Sequence, residues 1–228
     1  MNNKILQLRI PKSASTFLND QLKNKYNSEE LLVLSLGQSI LIDSFYEPNY
    51  EKHNYYQKIM QGIEESGISI CIIRNPIDRL ISALYHHKFT FQGRVDSSQA
   101  KPTEFDLLNP EEKIQHLLET GRIPTEIREL QSCMPEFYQK NFKILNKIDV
   151  IFDQSDIDKG ISILKNNYNI TIENKMKDTY ITNRLVERKF KQSCEEERKL
   201  LKQKYLEQLK KLYQKDIKCY EELKNKLF

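Results

Sequence analysis

The run GISICII (residues 67–73) constrains the fold of this chain more than any other stretch. It is short, rich in β-branched apolar residues and entered through a glycine, which predicts a fully buried strand. Similar runs occur at 4–10, 31–36 and 149–153, and helical patterns follow them at about 15–25, 53–65, 77–89 and 156–167. Strands that alternate with helices predict a three-layer α/β fold, in which helices cover both faces of a central, mostly parallel sheet.

The rest of the chain is predicted to be mainly helical. Residues 90–110 are polar and rich in turn formers, so we expect an irregular connection there. Apolar residues recur at three- and four-residue steps toward the chain end, which predicts one long amphipathic C-terminal helix. These helices are expected at 110–119, 124–140 and 194–227. The length of 228 residues suits one core, so we predict a single domain over residues 1–228.

Composition excludes several classes of protein. No run of apolar residues approaches the length of a membrane span, and residues 1–13 lack the apolar region of a signal peptide, so we expect an intracellular, cytoplasmic protein without membrane insertion. The four cysteines form no C-x-x-C pair and are expected to be free thiols. The four histidines show no metal-binding spacing, so no metal site is predicted.

The net charge of +4 is unevenly distributed. Residues 187–228 carry 13 Lys and Arg against 8 Asp and Glu, so the basic excess lies in the C-terminal helix. Charges of both signs alternate there beside an apolar stripe, a pattern typical of a helix that packs on a core and exposes a solvated face. We therefore expect no nucleic-acid partner.

The stretch RIPKSAST (residues 9–16) joins the first predicted strand to the first helix. A turn of this kind directs backbone N–H groups and the positive end of a helix dipole toward an anion. Lys12 adds a full charge, and Ser13, Ser15 and Thr16 add hydroxyl groups. The stretch lacks the G-x-x-x-x-G-K-[ST] pattern of a nucleoside triphosphate loop. The alternative is a turn with a Ser or Thr helix cap and a solvated Lys12.

The stretch RNPIDRLIS (residues 74–82) follows the strongest strand in the same manner. Arg74 stands where the strand ends, and Ser82 lies about two turns into the helix, so the two can hold a second phosphate. Asp78 is placed to cap the helix or to pair with Arg79. Because parallel strands end at one edge of a sheet, both stretches should meet there. The alternative for Arg74 is an ion pair with a neighbouring acid.

Together, PKSAST and RNPIDRLISALYHH resemble the nucleotide-binding elements of sulfotransferases that use 3′-phosphoadenosine 5′-phosphosulfate (PAPS). The likeness is closest to the carbohydrate and membrane-associated branch of that family. DVIFDQSDI and the terminal LYQKDIKCYEEL are also similar to segments of that branch. The resemblance covers residues 5–18, 70–88, 148–168 and 205–224.

The resemblance implies a P-loop-like fold and transfer of a sulfuryl group from PAPS to a hydroxyl or amine, without a required metal. Residues 90–147, which it does not cover, would form a helical region on the acceptor side. Lys12 would contact the 5′-phosphosulfate and follow the charge onto the leaving phosphate. The rest of that group would be bound by Ser13, Ala14, Ser15 and Thr16.

The resemblance also implies a site for the 3′-phosphate and a general base. Arg74 and Ser82 would hold the 3′-phosphate, and Arg184 and Arg188 would reach it from a late loop. The alternative for these two late arginines is the solvated start of a basic helix. The base in this family is a histidine or a carboxylate after the second strand. Here that segment contains His53, our first choice because imidazoles titrate near neutrality, then Glu47, with Asp43 and Glu51 also present.

Two other classes of function remain open at this stage. An ATP-dependent small-molecule kinase would also need an anion-binding loop. For a protein that binds a nucleotide without catalysis, such a loop alone would be enough. The acceptor is equally open. The family branch favours a carbohydrate or another small molecule, whereas the tyrosine-rich residues 44–56 can line a site for a phenol, a lipid or a peptide.

Overall fold

The computed structural model describes residues 4–37, 49–96, 102–124, 128–173 and 187–225. The strands are β1 (Ile5–Arg9), β2 (Leu31–Ser35), β3 (Ile68–Ile73) and β4 (Val150–Asp153). The helices are α1 (Ser15–Lys23), α2 (Asn54–Glu65), α3 (Pro76–Asp96), α4 (Glu104–Leu107), α5 (Pro110–Thr120), α6 (Arg128–Gln131), α7 (Phe137–Leu145), α8 (Ile157–Tyr168), α9 (Glu187–Leu212) and α10 (Gln214–Asn225). Short 3-10 turns lie at Tyr50–Lys52 and Gln154–Asp156.

The strands form a four-stranded, all-parallel sheet in the order β2-β1-β3-β4. Ile5 of β1 lies opposite Leu31 of β2 on one side and Ile68 of β3 on the other. The chain therefore moves outward from β1 to β2 and then crosses back to β3, which creates a topological switch point between β1 and β3. In open α/β sheets, ligands bind outside the carboxyl ends of the strands at such a point. The segments that follow β1 and β3 lie there.

Helices cover both faces of this sheet, which confirms the predicted α/β fold. On one face, Leu8 and Ile73 pack in a cluster with α2, α7 and α10. On the other, Ile70 and Phe152 pack against α1 and α8. A third apolar cluster joins α3, α5 and α9 beyond the sheet. Within the described ranges, no helix is long and apolar enough to cross a membrane.

Two predictions for the middle of the chain are wrong in detail. Residues 90–110 are not irregular throughout, because α3 continues to Asp96 and a capping box between Thr103 and Asp106 starts α4. The single helix expected at 124–140 is replaced by α6 and α7, with a turn between them. Pro135 lies in that turn, and a proline cannot donate the backbone hydrogen bond that a continuous helix needs there.

The long C-terminal helix is also divided, at Tyr213, into α9 and α10. The hydroxyl of Tyr213 is buried and donates to the carbonyl of Cys133 at 2.7 Å. In α10, the hydroxyl of Tyr220 donates to Oδ2 of Asp153, at the end of β4, at 2.6 Å. The two tyrosines thus fix the chain end to the α6–α7 turn and to the sheet.

Asp216 makes a third attachment, between α10 and the start of α7. Its Oδ1 accepts the N–H of Gln139 at 3.0 Å, so the carboxylate caps a helix from a different part of the chain. The side chain is only 1% exposed, and Oδ2 has no hydrogen-bond partner among the described residues. Burial is the main cause that raises the pKa of Asp216 to about 6, against backbone hydrogen bonds that lower it.

This raised pKa predicts a pH-dependent loss of stability. The folded state binds the Asp216 proton more tightly than the unfolded state does. The stability that this proton contributes is therefore complete below about pH 4 and is lost as pH rises to about 6. Asp216→Asn cannot ionise and keeps an oxygen for the Gln139 N–H. We expect the difference in free energy of unfolding between this variant and wild type to shift by on the order of 2–3 kcal/mol in favour of the variant from pH 4 to pH 7. Urea denaturation at each pH measures it.

The control for this experiment is Glu119→Gln, which removes an exposed carboxylate from α5. Its stability should follow the wild-type pH profile. Parallel profiles for wild type and Asp216→Asn would show that the Asp216 carboxyl keeps its ordinary titration in the folded protein.

Candidate functional site

The loop after β1 adopts a left-handed backbone at two residues without using glycine. Lys12 has φ of 62° and Ala14 has φ of 61°, which for residues with a Cβ costs roughly 1–2 kcal/mol each. The hydroxyls of Ser13 and Ser15 both donate to the carbonyl of Ile10, at 2.7 and 3.0 Å. These buried serine hydroxyls therefore hold the loop in shape, and the donors that Ser13 and Ser15 can still offer to an anion are their backbone N–H groups.

Those N–H groups gather at the start of α1. The N–H of Phe17 donates to the carbonyl of Ala14 at 3.1 Å, and the first N–H groups of an α-helix have no partner within the helix. Gln7 of β1 donates to the carbonyl of Ser15 at 2.8 Å and fixes the first helical turn over the sheet. Successive amides in alternating turn conformations at a helix N-terminus form an anion-binding concavity. The loop after β1 therefore has a backbone geometry suited to the predicted anion site.

Arg74 joins this loop to the end of β3. Its Nη1 donates to the carbonyl of Lys12 at 3.3 Å, which confirms that the two stretches meet at one edge of the sheet. The hydroxyl of Tyr138 accepts the Arg74 N–H at 3.1 Å and donates to the Arg74 carbonyl at 2.7 Å, so the backbone is fixed as well. Burial lowers the pKa of Arg74, the Asp78 carboxylate opposes this, and Arg198 adds to it.

Asn75 rather than Asp78 caps α3. Its Oδ1 accepts the N–H groups of Ile77 and Asp78, at 3.0 and 3.3 Å, and Pro76 occupies the first helical position. Ser82 follows two turns later and is half-buried. The helix that carries the predicted serine is therefore started beside Arg74 by a side-chain cap.

The expected ion pair between Asp78 and Arg79 is wrong. Asp78 pairs instead with Lys202 of α9, at 2.6 Å from Nζ to Oδ1. The Arg79 side chain turns the other way, into the interior, where it is 1% exposed and donates to the carbonyl of Ser132. Arg79 is thus a structural residue, and Asp78 connects α3 to the C-terminal helix.

Arg9 is a cation of this site that the sequence reasoning missed. It ends β1, its Nη2 donates to Oγ1 of the exposed Thr16 at 3.2 Å, and its Nε is buried without a hydrogen-bond partner among the described residues. The apolar positions of the run 4–10 predict a buried strand and do not distinguish Arg9. The alternation of side chains in a strand places Arg9 on the α1 face together with Gln7, and this was the available signal.

The candidate base His53 caps a helix. Its Nδ1 accepts the Tyr55 N–H at 3.1 Å and caps α2. The Tyr55 hydroxyl accepts the Ser35 N–H at 3.1 Å, so the start of α2 lies at the end of β2. In a neutral imidazole, an accepting Nδ1 leaves the proton on Nε2. To act as a general base, His53 would have to release this cap.

The remaining predicted residues divide into two groups. Glu51 is at the surface and pairs with Lys143 at 2.7 Å. Glu47, Asp43 and Arg184 lie outside the described residues, and the side chain of Arg188 is likewise not described.

Comparisons with known proteins identify the family of this chain. A profile of the sulfotransferase family matches residues 1–221 of the 228-residue chain, which includes both loops and the C-terminal attachments. Searches of the curated proteins and of the solved structures give no significant match. The match extends over nearly the whole chain, and the chain therefore belongs to the sulfotransferase family.

Proposed function

We propose that this protein transfers a sulfuryl group from PAPS to a hydroxyl or amine of an acceptor, with a carbohydrate as the favoured acceptor class. The observation that carries the proposal is the contact between the Arg74 guanidinium and the Lys12 carbonyl. It brings an arginine from the second predicted phosphate site against the loop that forms the first. A donor with phosphate groups at both its 3′ and 5′ positions has a matching arrangement of charge.

The residues present fit such a donor. The amides of residues 13–16, Lys12 and Arg9 would hold the phosphosulfate end, and Arg74 with Ser82 would hold the 3′-phosphate. The Nε atoms of Arg9 and Arg74 are buried without hydrogen-bond partners among the described residues, and a bound anion would satisfy them. When bound, PAPS supplies the activated sulfuryl group.

The protein's own contribution to the reaction is placement and charge. Like phosphoryl transfer, sulfuryl transfer has a loose transition state whose charge spreads over oxygens, so fixed cations and amides lower its energy. Lys12 would neutralise the charge that develops on the leaving phosphate. His53 and Glu47 remain the candidates to remove the acceptor proton, and this scheme requires no metal.

The acceptor would approach over the helical region between α3 and β4, within a single domain. Two tyrosines of the tyrosine-rich residues 44–56 belong to the core. Tyr50 and Tyr56 are 5% and 3% exposed, and the Tyr50 hydroxyl donates to Asn141 at 2.9 Å. Because these rings pack inside the protein, they do not line a surface for an acceptor.

Calorimetry without added magnesium tests the donor. We expect adenosine 3′,5′-bisphosphate to bind at least about tenfold more tightly than ADP, and Arg74→Ala to remove most of this difference. Lys58→Ala, which removes an exposed cation from α2, should keep it. Equal or tighter binding of ADP would favour the kinase alternative and contradict the proposal. A screen of radiolabelled sulfuryl transfer to glycans, phenols and lipids would then identify the acceptor.

A further inference from the structure

Helix α9 packs along α3, close to the proposed 3′-phosphate site. Lys202 of α9 pairs with Asp78 in the first turn of α3, at 2.6 Å. One turn earlier on α9, the guanidinium carbon of Arg198 lies 5.0 Å from the centre of the Tyr85 ring. Residues 78, 82 and 85 share one stripe of α3. The two α9 cations therefore face the stripe that carries Ser82.

This stripe holds more positive charge than the described residues around it neutralise. Arg74, Arg198 and Lys202 contribute three cations beside the carboxylate of Asp78, which pairs with Lys202 and also attracts Arg74. The Nε atoms of Arg74 and Arg198 are both buried without a hydrogen-bond partner among the described residues. Two half-buried guanidinium groups on adjacent elements repel each other, and an anion bound between them would offset this repulsion.

The charge of Arg198 also acts on Arg74. Burial is the main cause that lowers the pKa of Arg74; the Asp78 carboxylate opposes this, and the neighbouring Arg198 adds to the lowering. Such an arrangement is costly in the free protein and becomes favourable when a phosphate dianion is bound, since each guanidinium then gains a charge-assisted hydrogen bond.

We infer that Arg198 binds the 3′-phosphate of the donor together with Arg74 and Ser82, and so makes the C-terminal helix part of the nucleotide site. The inference rests on the proposed function, because it assigns one more residue to the site that separates PAPS from other adenine nucleotides. Lys202 then serves as a positioning residue, since its ion pair with Asp78 fixes α9 to the first turn of α3.

The test compares the binding of adenosine 3′,5′-bisphosphate and of 5′-AMP, which differ only in the 3′-phosphate. By calorimetry we expect Arg198→Gln to weaken binding of the bisphosphate by about ten- to a hundredfold and to leave 5′-AMP unchanged. Arg198→Lys keeps a charge without the planar fork and should lie between. The matched control is Lys199→Ala, which removes the neighbouring, exposed cation of α9 and should behave as wild type.

The outcomes separate this inference from the proposed function. If wild type binds both nucleotides equally, the PAPS proposal fails. If wild type prefers the bisphosphate and Arg198→Gln keeps the full preference, the role of Arg198 fails alone. An equal loss in Lys199→Ala would mean that the helix acts by general charge, which also overturns the inference. If Arg198→Gln does not fold, the ratio of the two nucleotide affinities measured for Arg198→Lys decides. A ratio equal to that of wild type would then overturn the role of Arg198.

Discussion

Lys12→Ala should lower kcat for sulfuryl transfer by about a hundred- to a thousandfold at saturating donor. Removing one preorganised group that stabilises the charge of a transition state typically costs roughly 3–4 kcal/mol. The backbone at Lys12 has φ of 62°, and alanine carries the same Cβ, so the substitution adds no new strain to the loop. Single-turnover assays with labelled donor measure the step itself, apart from product release.

The matched variants for this experiment separate charge from loop structure. Lys12→Arg keeps a cation and should retain part of the rate. Lys58→Ala removes an exposed cation from α2 and should retain all of it. A Lys12→Ala enzyme with the wild-type kcat would exclude Lys12 from the reaction and would leave the charge of the leaving group to Arg9 and the loop amides.

The elements of the sheet were predictable because their signals are local. GISICII and the run at 4–10 are apolar, short and bounded by turn residues, and they form β3 and β1 within one or two residues of the expected ends. The division of the C-terminal helix was not predictable in this way. It accompanies the buried contacts of Tyr213 and Asp216 with distant parts of the chain, and a periodic pattern cannot show which of its residues reach such partners.

The candidate site shows the same division between local and distant information. Lys12 and Arg74 were identified because each stands between a strand and a helix, where a parallel sheet brings loops together. Arg198 was not identified, because its place beside α3 depends on how α9 packs. The sequence offers many Lys and Arg residues in that helix, and Arg198 differs from Lys199 in its burial, not in any sequence motif.

Arg79→Ala should destabilise the fold by about 3–5 kcal/mol and weaken donor binding as a consequence. The Arg79 side chain is 1% exposed, and its guanidinium lies 4.3 Å from the ring centre of Phe137 and donates to the Ser132 carbonyl. Alanine would leave that carbonyl unpaired and a cavity below α7. Tyr138 of α7 holds the backbone of Arg74, so a shift of α7 would displace the arginine that we propose binds the 3′-phosphate.

Urea denaturation measures the first effect of Arg79→Ala, and calorimetry with adenosine 3′,5′-bisphosphate measures the second. Arg79→Lys retains the charge but neither the fork nor the stacking, so we expect a loss of about 1–3 kcal/mol. Lys165→Ala, at an exposed position of α8, should stay within about 0.5 kcal/mol of wild type. If Arg79→Ala unfolded like wild type yet bound the bisphosphate poorly, Arg79 would act on the nucleotide directly, because its structural contacts with Ser132 and Phe137 would then contribute little to stability.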